Sequence, residues 1–129
     1  MHENEIGTII VDAAIMVHRE LGPGLLESVY EAVLAQELRN RGLQVARQVP
    51  IPIVWRGMTF EEGFRADLLV EDKVIAELKS VESVSKSHKK QILTHLRLAH
   101  RKLGFLLNFG AAVMKEGITR TVNGLDAGR

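Results

Sequence analysis

The sequence predicts an α/β sandwich, a central mixed β-sheet flanked by helices. Three observations predict it. Apolar residues recur at helical spacing through the N-terminal third; alternating and apolar runs typical of strands follow; a basic amphipathic segment then leads into the wholly apolar stretch "KLGFLLNFG". The resulting order is α-α-β-β-β-α-β, and elements in this order bury their apolar faces by stacking in layers.

Residues 5 to 20 read as the first helix, because Ile6, Ile9, Ile10, Ala13, Ala14, Val17 and Leu21 fall at helical spacing. "GPG" at 22 to 24 stops it. The second helix runs from about 25 to 41, with Tyr30, Val33, Leu34 and Leu38 on its inward stripe and Gly42 ending it. "LQVARQVPIPIVW" alternates as a strand does, and Pro50 and Pro52 require an edge position or a bulge. Arg56-Gly57 marks a turn, residues 58 to 70 form a second strand with a break near Gly63, and residues 73 to 80 form a third. Ser85 to Lys102 is helical, with Ile92, Leu93, Leu96 and Ala99 on one side. "KLGFLLNFG" reads as a strand buried on both faces, and "GITRTVNG" is a candidate last strand.

A chain of 129 residues suits one domain with a real core. No apolar run approaches the roughly 20 residues of a membrane span. "MHENEIGTII" carries acids where a signal peptide carries bases. The absence of cysteine excludes disulfides and thiolate metal sites, and a reducing cytoplasm is the expected setting. A net charge of +1 excludes a molecule that is basic throughout. The charge is uneven, however: from Lys79 to Lys102 there are seven bases against one acid, Glu82. Such a stripe attracts phosphate whatever the total charge.

The stretch "FRADLLVEDKVIAELKS" reads as a β-hairpin, yet it places Asp67, Glu77 and Lys79 inside apolar runs. Residues i and i+2 of a strand share a face, so Glu77 and Lys79 project together. A two-residue loop would set Asp67 opposite Ala76. A three-residue loop, Glu71-Asp72-Lys73, pairs Val70 with Val74 and sets Asp67 opposite Glu77. The second register is expected, because Asp tolerates the left-handed backbone such loops need. Two opposed carboxylates repel, and burial without partners is costly. A hard divalent cation, Mg²⁺ or Mn²⁺, resolves the conflict and is suited to phosphodiester chemistry. The competing reading is a solvated cross-strand salt bridge among the three side chains.

D-x₉-E-L-K across two strands, followed by a helix, resembles the PD-(D/E)XK nuclease superfamily. "GLLESVY", with Gly24, Glu27 and Tyr30, resembles one branch of it, the GxxExxY proteins. "RQVPIPI", "FRADLLV", "VIAELKSVE", Gln91 and "GFLLNFG" follow in the same order, so the resemblance covers about residues 5 to 122. It implies a restriction-endonuclease-like fold and, in active members, Mg²⁺-dependent nuclease activity. It implies Asp67 and Glu77 as metal ligands, joined by the Leu78 carbonyl, and Lys79 as the catalytic lysine. Glu27 corresponds to the acid many members carry on the first core helix, and Gln91 to the glutamine on the helix after the lysine strand. The family often has tyrosine four residues beyond that glutamine; His95 stands there in this chain. Arg65-Ala66 precede the aspartate in place of proline.

Residue chemistry adds to this. Glu27, Tyr30 and Leu34 share a helical face, which would put Glu27 on the inward stripe; its alternative role is to favour the helix dipole from the first turn. Tyr30 suits the core, and Gln91 suits either a ligand contact or the surface. The five histidines show no zinc spacing. Beside a nuclease-like site, Lys86, Lys89, Lys90 and Arg97, with His95 on the same helix, are expected to hold a DNA or RNA backbone. With Trp55 the only tryptophan, no aromatic platform for single strands is evident. Three functions follow: a metal-dependent nuclease, a non-catalytic nucleic-acid-binding or adaptor module on the same fold, and a protein-interaction module that homodimerises through its apolar first helix.

Overall fold

The computed structural model describes residues 1–126. Helix α1 (Glu3–Leu21) begins with a reciprocal cap: His2 Nδ1 accepts from the Asn4 amide, and the Glu5 carboxylate accepts from the His2 amide. Its stripe of Ile6, Ile10, Ala13, Ala14 and Val17 is buried within the chain's own core. The apolar face expected to serve a homodimer is therefore already occupied. Helix α2 (Glu27–Asn40) follows the "GPG" break and packs Tyr30, Leu34, Ala35 and Leu38 inward. Val33, expected on that stripe, is exposed.

Strands β1 (Val45–Trp55), β2 (Met58–Val70), β3 (Val74–Lys79), β4 (Leu103–Asn108) and β5 (Ile118–Val122) form one sheet in that order. Only β3 and β4 run parallel, with helix α3 (Lys86–Ala99) connecting them, so the sheet is mixed as the sequence predicts. α3 stops before the expected Lys102 because His100 adopts a left-handed backbone, φ 55°. A short helix, α4 (Met114–Gly117), was not predicted; four residues are too few to set a period.

Helices cover both sides of the sheet. α1 and α2 pack against Leu68, Val70, Val74, Ala76, Leu78 and alternate residues of β4. α3 packs Ile92, Leu96 and Ala99 against Ile51, Ala66, Leu69 and Ile75. All of β4 is buried, as a strand with helices on both faces should be. Both consequences of the prolines occur: β1 is an edge strand, and its pairing shifts between Ile51 and Ile53, opposite the segment ending at Gly63. Among the described residues no helix is long and apolar enough to cross a membrane.

Candidate active site at a strand fork

The β2–β3 hairpin adopts the three-residue register, with Val70 opposite Val74 and with Glu71 and Asp72 both at φ 54°. Its ladder stops at Leu68 opposite Ala76, one step short of Asp67 and Glu77. Where the strands part, the Asp67 side chain stands in for the missing backbone acceptor: Oδ2 accepts from the Leu78 amide at 2.8 Å. Ala66 belongs to the cluster under α3 and Leu68 to the cluster under α1 and α2, so β2 changes face at Asp67.

β1 is irregular at the same level. Gln48 has φ 50°, a backbone conformation that costs a non-glycine residue about 1–2 kcal/mol. Its Nε2 donates to Asp67 Oδ1 at 3.2 Å and to Glu31 Oε1 at 2.5 Å. Arg47 Nε donates to Glu31 Oε2 at 2.9 Å. Glu31 is buried, on the inner side of α2.

Glu77 follows Ile75 by two residues and so faces α3. It is buried, and its Oε2 is hydrogen-bonded to His95 Nδ1. The Phe64 ring stacks on His95, with centroids 3.8 Å apart and planes 9° from parallel. Lys79, two residues further along the same face, has its ammonium in no hydrogen bond or ion pair among the described residues.

Burial raises the Asp67 carboxyl above the ordinary carboxylate range, and the nearby charges of Glu31 and Glu77 add to this. The Leu78 amide and Gln48 pull in the opposite direction without cancelling it. A carboxyl with a raised folded value contributes stability below its unfolded pKa and loses it as pH rises through the folded one. Metal-free wild type is therefore expected to lose stability relative to Asp67→Asn as pH rises above about 4. Urea midpoints for both proteins across acidic to neutral pH measure this; a constant difference between them would contradict the assignment.

This donor set fits a hard divalent cation: carboxylates on neighbouring strands, one desolvated and crowded by like charge. Among the described residues no three acidic or histidine side chains form a ready-made cage. Mg²⁺ does not require one, since it usually takes one or two carboxylates and fills its shell with water and phosphate oxygens.

The structure brings Asp67, Glu77, Leu78 and Lys79 together at the fork and places the other predicted residues around it. Glu27 is exposed rather than on the inward stripe, because α2 only begins there. Its Oε1 accepts from the Ser80 amide at 3.3 Å, next to Lys79 in the chain. Gln91, Lys86, Lys89, Lys90 and Arg97 lie exposed on α3, whereas His95 turns inward to Glu77. Tyr30 is core: its hydroxyl donates to the Gly22 carbonyl and accepts from the Leu25 amide, and its ring stacks on Phe109. Sequence reasoning missed Glu31 and Gln48. Glu31 was detectable, because Glu31, Ala35 and Leu38 continue the buried stripe at helical spacing.

A profile of the PD-(D/E)XK nuclease superfamily matches residues 4–121. No curated protein and no solved structure gives a significant match. The matched region spans nearly the whole chain and contains the mixed sheet, both covering layers and the fork with its D…E-x-K set, so the chain belongs to the PD-(D/E)XK nuclease superfamily.

Proposed function

We propose that the chain is a single nuclease-like domain of the GxxExxY branch that hydrolyses phosphodiester bonds in DNA or RNA with Mg²⁺ or Mn²⁺. The observation that carries this reading is the placement of Asp67. It is desolvated, flanked by two further carboxylates and set where the strands separate, beside a lysine whose ammonium has no partner among the described residues.

Asp67 and Glu77 would hold the cation, with the Leu78 carbonyl and Glu27 as further donors. When bound, such an ion neutralises phosphate charge and makes water more acidic. The remaining work falls to the chain. Lys79 stabilises negative charge developing on the phosphate oxygens and orients the attacking water. Gln48 holds Asp67 and Glu31 apart by bonding to both, and His95 fixes the Glu77 rotamer. Lys86, Lys89, Lys90 and Arg97 hold the backbone in a sequence-independent, salt-sensitive way, and Gln91 offers an amide to a phosphate.

One observation favours a second reading, a non-catalytic nucleic-acid-binding module: the Glu77 carboxylate already has His95 as a partner. Plasmid DNA and a structured RNA incubated with Mg²⁺ or Mn²⁺ separate the two. The nuclease reading expects cleavage by wild type and a loss of about a hundredfold or more in Lys79→Ala. Salt-sensitive binding without products supports the module, and cleavage undiminished in Lys79→Ala contradicts the assigned site.

A further inference from the structure

Past the bulge, the β1–β2 ribbon loses its cover. Ile53 pairs with Phe60 and Trp55 with Met58. Directly opposed residues, and residues two apart, share a face, so these four side chains lie on one side of the ribbon. β1 keeps its alternation from Val49 through Ile51 and Ile53 to Trp55, and Val49 and Ile51 pack in the cluster under α3. The exposed group therefore lies on the sheet face that carries Glu77, His95 and α3. Trp55 is 54% exposed, Met58 51% and Phe60 47%. The tip turn, Arg56 at φ 48° and Gly57 at φ 74°, swings the Arg56 guanidinium over the Trp55 ring, 4.6 Å from its centroid.

The charges flanking this face select its partner. α3 contributes Lys86, Lys89, Lys90 and Arg97 and no acid. Arg56 adds a cation at the tip, while Glu62, in the bulge, is paired with Arg65 at 2.7 Å. Two aromatic rings and a thioether beside a basic helix match a polyanion that also carries exposed flat rings. Every nucleobase has a π-face, so such a surface accepts bases without regard to sequence.

We infer that Trp55, Met58 and Phe60 form a stacking platform for unpaired nucleobases, which delivers a single-stranded or splayed segment toward the fork. The inference rests on the nucleic-acid part of the proposed function and adds strandedness to it. Stacking depends on this exposed face of the ribbon, a surface that the spacing of the sequence does not reveal.

Trp55 is the only tryptophan, so its emission reports on this surface alone. Wild-type protein in EDTA, which prevents metal-dependent cleavage, is titrated with a single-stranded oligonucleotide, an abasic strand of equal length and a blunt duplex. Binding is followed in parallel by anisotropy of a label on the nucleic acid. The expected result is quenching of Trp55 by the single strand, with affinity about tenfold above that of the abasic strand. Trp55→Ala and Phe60→Ala each lose about tenfold for the single strand and leave the duplex unchanged, and Trp55→Phe restores most of the loss. Unquenched emission with the single strand bound, equal affinity for the abasic strand, or no single-strand binding at all would overturn the inference. So would sedimentation showing a wild-type dimer that Trp55→Ala dissolves, since the face would then belong to a second copy. Duplex cleavage that persists without stacking would overturn the platform and leave the nuclease reading standing. Quenching without any cleavage would do the reverse.

Discussion

Asp67→Ala is expected to reduce phosphodiester cleavage by about a thousandfold or more, the largest functional effect of any single substitution in the chain. The size follows from position. Asp67 is the carboxylate at which β2 and β3 part, and it alone binds the backbone of the facing strand there, through the Leu78 amide, while Glu77 turns to His95. Its loss should leave the fold largely intact, because two effects oppose each other. The Leu78 amide loses its acceptor, which costs about 1–3 kcal/mol. In return a desolvated charge is removed from between Glu31 and Glu77. A cooperative melt near that of wild type, together with absent cleavage, is the expected pair of results. Cleavage within tenfold of wild type would remove Asp67 from the chemistry.

Gly110→Ala is expected to be the most damaging small substitution for stability, by about 3 kcal/mol. A Cβ there would lie 2.6 Å from the Val81 backbone nitrogen and closer still to its carbonyl oxygen, and backbone cannot turn aside as a side chain can. Val81 is also pinned from the other side. Asn108 Oδ1 accepts from the Val81 and Gly110 amides, and Asn108 Nδ2 donates to the Val81 carbonyl. These bonds tie the segment after Lys79 to the end of β4, and the Phe109 amide adds a bond to the Lys79 carbonyl. Displacing Val81 therefore disturbs the strand end that carries Lys79. A fall in melting temperature of about 10 °C is expected in thermal unfolding. A shift of less than about 2 °C would mean that the contact relaxes without cost.

Much of the frame was legible in the sequence because it depends on periods and breaks. The apolar spacing from Ile6 to Val17, the "GPG" stop and the unbroken apolar run of β4 each have one reading. The register of the β2–β3 hairpin was legible too, since the residues at 71 to 73 suit a three-residue loop and only that register opposes the two acids. What escaped depends on backbone events that no period records. Glu27 and Glu31 lie one turn apart, and which of them faces inward is fixed by where α2 starts. Gln48 gains its position between two carboxylates from a left-handed residue inside an otherwise ordinary strand. The exposed face of Trp55, Met58 and Phe60 is assembled by cross-strand pairing past a bulge. The bond from His95 to Glu77 depends on where α3 comes to lie over the sheet, which helical spacing alone does not fix.

Calorimetric titration of Mn²⁺ into wild type, Asp67→Ala and Glu77→Ala near neutral pH tests the central claim most directly. A metal-binding fork is expected to give saturable binding in wild type and none in either variant. Equal binding in all three proteins, or none in wild type either alone or with a short oligonucleotide present, would contradict it and leave Asp67 and Glu77 as structural carboxylates held by Gln48, the Leu78 amide and His95.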